Sequence, residues 1–117
     1  MSCRVLIVDD NEDAADMLAL LLRTLGYITA VAYNGVAALA ELDSFQPNVI
    51  LLDMNMPVLN GYDTALAVRA RPDGKSFHII ALTAYDDPAA IERMVKAGCD
   101  ARITKPAPTE KLLALFP

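Results

Sequence analysis

The sequence of 117 residues has no tryptophan, only one histidine and only two cysteines. Cys3 and Cys99 lie far apart and match no metal-binding spacing. Because free cysteines are commonly buried, we predict small, buried or half-buried thiols. The single histidine, His78, opens an apolar segment, and we expect it to have a structural role.

Long apolar runs and an excess of basic residues are also missing. The longest uncharged runs are far shorter than the roughly 20 apolar residues that span a bilayer, and the first four residues do not resemble a signal peptide. We therefore expect no membrane insertion and a cytoplasmic location, as a separate protein or as part of a longer one. The net charge of −5 argues against direct nucleic-acid binding, which needs clustered Lys and Arg.

Hydrophobic residues are abundant, at 55% against 21% charged, which excludes a disordered tail and permits a substantial core. The length is that of one ordinary domain, so we expect a single domain over residues 1–117. Short apolar runs alternate five times with segments of helical periodicity. The strands are predicted at 3–8, 27–33, 48–53, 78–83 and 101–104.

This (βα)5 alternation predicts an α/β fold, because parallel strands need helical crossovers of about a dozen residues or more. Nearly continuous apolar strands indicate helices on both faces of the sheet, in three layers. The first, third and fourth strands are the most apolar and belong in the centre, whereas the more polar second strand and the short fifth strand suit the edges. The flavodoxin-like order 2-1-3-4-5 satisfies this pattern.

Polar and charged residues occur where the predicted strands end. They are Asp9 and Asp10 after strand one, Asp53 on strand three, Thr83 on strand four and Lys105 after strand five. Each residue alone is typical of a cap, a turn or a surface position. Because the carboxyl ends of parallel strands meet at one edge of the sheet, the combination indicates a site.

Three neighbouring carboxylates raise one another's pKa unless a cation intervenes. All the candidate ligands are oxygens, which favours Mg²⁺ over Zn²⁺. An ammonium and a hydroxyl beside a metal-bound carboxylate form a pocket for a transferring phosphoryl group. We therefore predict that Asp53 is a nucleophile that forms an aspartyl phosphate.

The segments that carry these residues resemble the receiver domain of two-component response regulators. They are VLIVDDNED (5–13), VILLDMNMPVLNGYD (49–63), IIALTA (79–84) and ITKP (103–106). The resemblance covers essentially the whole chain. It implies a phosphoacceptor domain of a phosphorelay, which switches its interaction surface and promotes its own phosphorylation and dephosphorylation without being an enzyme.

The resemblance also implies a role for each acid. Asp53 would be the phosphoacceptor, as 4-aspartylphosphate, and would share Mg²⁺ with Asp10 as a direct ligand. Asp9 would act on the metal mostly through water. The backbone carbonyl of Asn55 would complete the protein's ligands.

Two further residues and the partner follow from the same resemblance. Thr83 and Lys105 would contact the phosphoryl oxygens, and the peptide between Lys105 and Pro106 would be cis. The implied partner is a histidine kinase or a histidine phosphotransfer protein. We expect a monomer or a weak dimer.

One position departs from the family pattern. Three residues before the lysine, the family usually has an aromatic side chain that turns inward on phosphorylation, whereas this chain has Arg102. A guanidinium does not readily fill an apolar pocket. We expect Arg102 to stay outward, paired with an acid such as Glu92.

The first helix is the expected docking site for the partner. We predict that its core-facing stripe consists of Ala14, Met17, Leu18, Leu21, Leu22 and Leu25. Ala15 and Ala19, with Leu22 at the margin, would then be exposed beside the site. A four-helix phosphotransfer partner is expected to pack there, near the loop at Pro106.

Three alternatives remain open from the residues alone. A receiver-like module could serve only for interaction, without phosphorylation. A phosphatase of the haloacid dehalogenase class would need a second acid where this chain has Asn55. A flavin mononucleotide binder would need phosphate-binding groups after strand one, where the acidic sequence DDNED (9–13) would repel a phosphate.

Overall fold

The computed structural model describes residues 3–56 and 59–117. Pro57, which the sequence places in the loop after the third strand, lies outside the described residues. The strands are β1 (Arg4–Val8), β2 (Ile28–Ala32), β3 (Val49–Asp53), β4 (His78–Thr83) and β5 (Ala101–Thr104). The helices are α1 (Glu12–Thr24), α2 (Gly35–Phe45), α3 (Gly61–Arg69), α4 (Pro88–Ala97) and α5 (Thr109–Leu113), with a 3₁₀ turn at Gly74–Ser76.

The five strands form one parallel sheet in the order β2-β1-β3-β4-β5, which confirms the predicted flavodoxin-like order. The central strand β3 is buried along its whole length, whereas the edge strands β2 and β5 are partly exposed. In the register, Val8 is opposite Leu52 and Asp53 is opposite Leu82. The three central strands therefore end at the same edge.

Side-chain caps fix where four of the helices begin. The carboxamide or carboxylate oxygen of Asn11, Asn34, Asn60 and Asp87 accepts a backbone N–H three residues further along. Such caps satisfy backbone donors that the first helical turn leaves without partners. Each cap follows a strand or its loop, so the helices α1 to α4 start close to the carboxyl edge of the sheet.

Apolar side chains cover both faces of the sheet. One cluster lies under α2, α3 and α4 and includes Leu42, Val68 and Met94. The other lies under α1 and α5 and includes Leu22 and Leu112. Within the described ranges, no helix combines the length and the hydropathy needed to cross a bilayer.

The buried face of α1 differs from the predicted one. Ala15, Ala19 and Leu22 are buried, with exposed fractions of 1%, 1% and 0%. Of the stripe predicted to face the core, Leu22 is buried as predicted and Leu18 is half-buried, but Ala14, Met17, Leu21 and Leu25 are exposed. The two apolar stripes have the same spacing and differ by one residue, or about 100° around the helix. The alanines face the sheet because their small side chains allow the helix to pack closely against it.

The edge opposite the predicted site is held by a polar network. Arg69 donates hydrogen bonds to the Gly98 carbonyl and to Asp100, whose carboxylate also accepts the N–H of Ile79. The Nε2 atom of His78 lies 2.9 Å from the carbonyl oxygen of Leu115. This contact ties the end of the chain to β4 and agrees with a structural role for His78.

Candidate functional site

Three carboxylates lie together at the carboxyl edge of the sheet. Asp9 follows β1 and Asp53 ends β3, and their exposed fractions are only 6% and 3%. Asp10 is exposed beside them. One carboxylate oxygen from each residue lies within 4.8 Å of the other two. The structure thus brings together the three acids that the sequence places at strand ends.

The ammonium group of Lys105 lies close to both buried carboxylates. Its Nζ atom lies 3.3 Å from Asp9 Oδ2 and 3.3 Å from Asp53 Oδ1. The lysine is held in place because its backbone N–H donates to the carbonyl of Thr83 at 2.8 Å. Its peptide bond to Pro106 is cis, as the resemblance implies. One ammonium therefore bridges the ends of β1 and β3 from the loop after β5.

Backbone groups orient the two buried carboxylates. The N–H of Asn55 donates to Asp53 Oδ1 at 3.0 Å, and the N–H of Asn11 donates to Asp9 Oδ1 at 2.9 Å. Each of these backbone hydrogen bonds uses the Oδ1 atom of its carboxylate, and the Oδ2 atom of Asp9 faces Lys105. The hydrogen bond from Asn55 favours the ionised form of Asp53 and so lowers its pKa.

Gly61 is a residue of this region whose role the sequence does not reveal directly. A Cβ atom at this position would lie 2.5 Å from the carbonyl oxygen of Asp53 and 2.5 Å from the Cα of Met54. Only glycine lets the start of α3 pass this close to the end of β3. The signal in the sequence is a glycine immediately after the helix cap Asn60.

Burial dominates the electrostatics of Asp53. Loss of hydration raises its pKa above the ordinary value, and the negative charge of Asp9 adds to this effect. The N–H of Asn55 and the charge of Lys105 lower the pKa of Asp53 but do not cancel the effect of burial. The carboxylate is therefore less stable than in water, and additional positive charge at this edge would stabilise it.

Thr83 lies at the same edge but is engaged with its own loop. Its side chain is fully buried, and the hydroxyl donates to the carbonyl of Tyr85 at 2.9 Å. The same oxygen accepts the N–H of Tyr85 at 3.0 Å. The threonine hydroxyl is thus held by the loop between β4 and α4 and would have to give up these bonds to contact another group.

The residues of this edge fit a Mg²⁺ ion. The converging donors are carboxylate oxygens from Asp9, Asp10 and Asp53, which are the ligands that Mg²⁺ prefers. The backbone carbonyl of Asn55 accepts no hydrogen bond from any residue in the described ranges, so it is available as a further ligand. The raised pKa of Asp53 is the condition that a divalent cation relieves.

A cavity of about 490 Å³ opens beside the acids, between α1 and the loop after β5. Asp9 and Lys105 line its polar end. Its other walls are apolar and consist of Ala14, Leu18, Leu82, Pro106, Ala107 and Leu112. The surface beside the site on α1 is therefore formed by Ala14 and Leu18.

The predicted docking residues on α1 are wrong. Ala15, Ala19 and Leu22 pack against the sheet and expose 1% or less of their surface, so no partner can contact them. The periodicity of α1 identified an apolar stripe but could not identify which of two adjacent stripes faces the core. The outward stripe begins at Ala14 and continues through Leu18 and Leu21.

Arg102 is exposed on β5, as expected. The expected partner Glu92 pairs instead with Lys96, at 2.9 Å and one helical turn along α4. Within residues 3–56 and 59–117, Arg102 forms no ion pair. The expected pair between Arg102 and Glu92 is therefore not formed in this structure.

Two curated relatives are similar in sequence. The chain is 40% identical over 112 residues to the sensory transduction protein RegX3 of Mycobacterium tuberculosis, covering 94% of this chain and 47% of RegX3. It is 35% identical over 114 residues to the DNA-binding response regulator MtrA of Mycolicibacterium paratuberculosis, covering 97% of this chain and 49% of MtrA. The chain spans about half the length of these relatives.

Solved structures share the whole fold. The chemotaxis protein CheY4 of Vibrio cholerae superimposes with a TM-score of 0.92 at 32% identity, covering 97% of this chain and 95% of CheY4. The signal receiver domain of a histidine kinase from Syntrophus aciditrophicus has a TM-score of 0.87 at 32% identity, covering 97% and 86% of the two chains.

The family model of the response regulator receiver domain matches residues 5–116. This range contains all five strands except Arg4, the first residue of β1. That match agrees with the strand order and with the residues at the carboxyl edge. This chain belongs to the response regulator receiver domain family.

Proposed function

We propose that Asp53 accepts a phosphoryl group from a phosphohistidine of a histidine kinase or of a histidine phosphotransfer protein. The observation that carries this proposal is a buried carboxylate 3.3 Å from an ammonium, within 4.8 Å of two further acids. A carboxylate oxygen of Asp53 forms a bond to phosphorus while the bond from phosphorus to the histidine nitrogen breaks. The electron pair of that bond stays on the imidazole.

Neighbouring groups supply the positive charge and the hydrogen bonds for this step. Lys105 is close enough to the nucleophile to contact a phosphoryl oxygen as it arrives. Thr83 would contact another phosphoryl oxygen after its hydroxyl leaves Tyr85. Mg²⁺, held by Asp10, Asp53 and the Asn55 carbonyl with Asp9 acting through water, would neutralise negative charge on the phosphoryl group.

The release of Thr83 from Tyr85 connects the chemistry to the surface. The loop between β4 and α4 is held by two hydrogen bonds of this hydroxyl. When the hydroxyl turns toward a phosphoryl group, the loop loses both bonds and its conformation can change. Phosphorylation would thus alter an interaction surface. Each chain would carry one phosphoryl group until its own site hydrolyses it.

The partner is expected to cover the exposed stripe of α1 rather than the residues that face the sheet. Ala14, Leu18 and Leu21 are spaced to lie along one flank of the helix. Ala14 and Leu18 also line the cavity whose far wall contains Pro106, beside Lys105. A helix of the partner that packs on this flank would bring its phosphohistidine over Asp53.

Intact-mass measurement of the purified chain tests the proposal. After incubation with acetyl phosphate and Mg²⁺, the protein is expected to gain the mass of one phosphoryl group. Asp53→Asn and an excess of EDTA should each prevent the gain. A chain that gains no phosphoryl group from acetyl phosphate or from phosphoramidate would instead be an interaction module.

A further inference from the structure

The cavity beside Asp9 and Lys105 has an apolar lining that the chemical step of phosphoryl transfer does not use, even where a protein partner docks on its rim. Charge neutralisation and positioning account for the acids, the lysine and the threonine. The walls formed by Ala14, Leu18, Leu82 and Leu112 are apolar, and they border a space of about 490 Å³ that is open to solvent on one side and lies beside the charged groups. Cavities of this size and composition are typical of small-molecule sites.

Lys105, at the polar end of the cavity, is also a neighbour of the phosphoacceptor Asp53. Lys105 lines the cavity, and its Nζ atom lies 3.3 Å from Asp53 Oδ1. A small molecule whose phosphoryl group reaches Asp53 can therefore extend the rest of its structure between α1 and Pro106. The rest of such a molecule would pass the ammonium of Lys105 and the carboxylate of Asp9, which pair at 3.3 Å, and would meet apolar side chains beyond them.

We propose that this cavity binds the acyl chain of an acyl phosphate, and that short apolar acyl phosphates such as butyryl phosphate are better phosphoryl donors than acetyl phosphate. The inference rests on the proposed function of Asp53. An acyl phosphate matches the site because its anionic phosphoryl group meets Lys105 and its hydrocarbon chain meets Leu18 and Leu82.

The transfer is balanced without a further reactant. An oxygen of Asp53 forms a bond to phosphorus, and the bond between phosphorus and the acyl oxygen breaks. The electron pair leaves with the acyl oxygen, so the donor departs as a carboxylate beside the ammonium of Lys105.

The experiment compares three donors on the purified chain with Mg²⁺. Acetyl phosphate and butyryl phosphate have nearly equal chemical reactivity, and phosphoramidate has no acyl chain. Butyryl phosphate has two more methylene groups than acetyl phosphate, and each methylene removed from water favours binding by about fourfold. Because the cavity is open to solvent on one side, the two methylenes are only partly buried. We therefore expect butyryl phosphate to react about fivefold to tenfold faster than acetyl phosphate at low concentration. The rate of labelling by each acyl phosphate is measured by intact mass. It is divided by the rate of labelling of the same protein by phosphoramidate, which corrects for differences in the reactivity of Asp53 between variants.

Cavity-filling variants provide the control. Ala14→Leu adds bulk at the mouth of the cavity and is expected to lower the ratio of the butyryl rate to the acetyl rate to near one. Ala40→Leu makes the same change at an exposed position of α2, remote from the cavity, and should keep the ratio of the parent. Thermal unfolding of both variants checks that they are folded.

Three results would overturn the inference. A butyryl rate equal to or below the acetyl rate would show that the cavity does not bind the chain. A ratio that Ala14→Leu does not lower would place the preference elsewhere. If no donor labels Asp53, including phosphoramidate, the proposed function itself fails, whereas labelling by phosphoramidate with equal acyl rates removes only this inference.

Discussion

At the scale of single residues, Asp53 combines two opposing demands. Its carboxylate must be ionised to act as a nucleophile, but burial and the charge of Asp9 raise its pKa. Lys105 and the N–H of Asn55 offset only part of this effect. The metal-free protein therefore contains a destabilising charge at the position that the proposed chemistry uses.

Asp53→Asn is expected to stabilise the metal-free protein at pH 7, because asparagine has a similar shape and no charge. The expected gain is about 1 kcal/mol, the size of a typical substitution effect, or roughly 4 °C in Tm for a domain of this length. Urea unfolding in EDTA measures it. A variant less stable than its parent under these conditions would contradict the electrostatic account.

The pH dependence of this gain has a definite sign. The folded protein binds the Asp53 proton more tightly than the unfolded chain does. The stability that this proton contributes to the folded state is therefore fully present at low pH. It is lost as the pH rises from about 4, the pKa of an unperturbed aspartate, through the raised folded value. The advantage of Asp53→Asn should therefore shrink on acidification, and an advantage that grows at low pH would show the opposite shift.

The positions of the site residues could be predicted because strand ends are set by where apolar runs stop. Asp53 follows four consecutive apolar residues, and Asp9 follows another such run, so their meeting at one edge depends only on strand order. The hydrogen bonds between Thr83 and Tyr85 could not be predicted, because they depend on the conformation of a loop.

At the scale of elements, α1 shows what periodicity cannot decide. Both apolar stripes repeat with helical spacing, and the larger side chains of Leu21 and Leu25 favoured the wrong one. The structure buries the alanines because the helix packs close to the sheet. Charged groups take the opposite flank of the helix, where Asp16 accepts a hydrogen bond from Tyr33 at 2.7 Å.

Leu21→Arg is expected to slow phosphoryl transfer from a phosphotransfer protein at least tenfold, which corresponds to about 1.4 kcal/mol, because a charge introduced into an apolar interface must be desolvated. The charged side chain would occupy the apolar flank of α1 that the partner is proposed to cover. Transfer is followed by intact mass with a phosphorylated partner.

Val36→Arg on α2 is the matched control, since Val36 is also an exposed apolar residue but lies on the other face of the sheet. It should transfer at the rate of the parent. Equal slowing in the two variants, or equal loss of labelling by phosphoramidate, would show that the flank of α1 is not the docking site.

Arg102 belongs to the face formed by α4, β5 and α5. We predict that it stays outward after phosphorylation, because burying an unpaired guanidinium costs several kcal/mol. The chemical shifts of this face should therefore change less than in Arg102→Tyr, which restores an aromatic side chain. Large shifts across residues 86–106 in the parent, with Arg102 becoming protected from solvent, would show that the arginine turns inward.

At the scale of the whole molecule, the polarity of the strands predicted which strands lie in the centre of the sheet and which lie at its edges, and the flavodoxin-like order was the known arrangement that fitted. The strands β1, β3 and β4 are apolar throughout their centres, and only an interior position buries both of their faces. That order brings acids from two neighbouring strands together. The stability of the whole domain is therefore linked to the cation that these acids would bind.

Mg²⁺ at 100 times its Kd is expected to raise the Tm of the parent by roughly 10 °C, since such a ligand adds about 2.7 kcal/mol of stability. Asp10→Ala should remove this gain, and it should also raise the Tm of the metal-free protein by relieving repulsion. Thermal unfolding with Mg²⁺ and with EDTA measures both effects. An unchanged response to Mg²⁺ in Asp10→Ala would show that the ion binds elsewhere.

The most direct test is to locate the phosphoryl group in the chain. Borohydride reduces an aspartyl phosphate to an alcohol, and peptide mass spectrometry identifies the residue that has changed. After treatment with acetyl phosphate and Mg²⁺, we expect reduction at Asp53 alone, and none in samples with EDTA. Reduction at Asp9 or Asp10, or labelling at Asp53 that EDTA does not diminish, would contradict it.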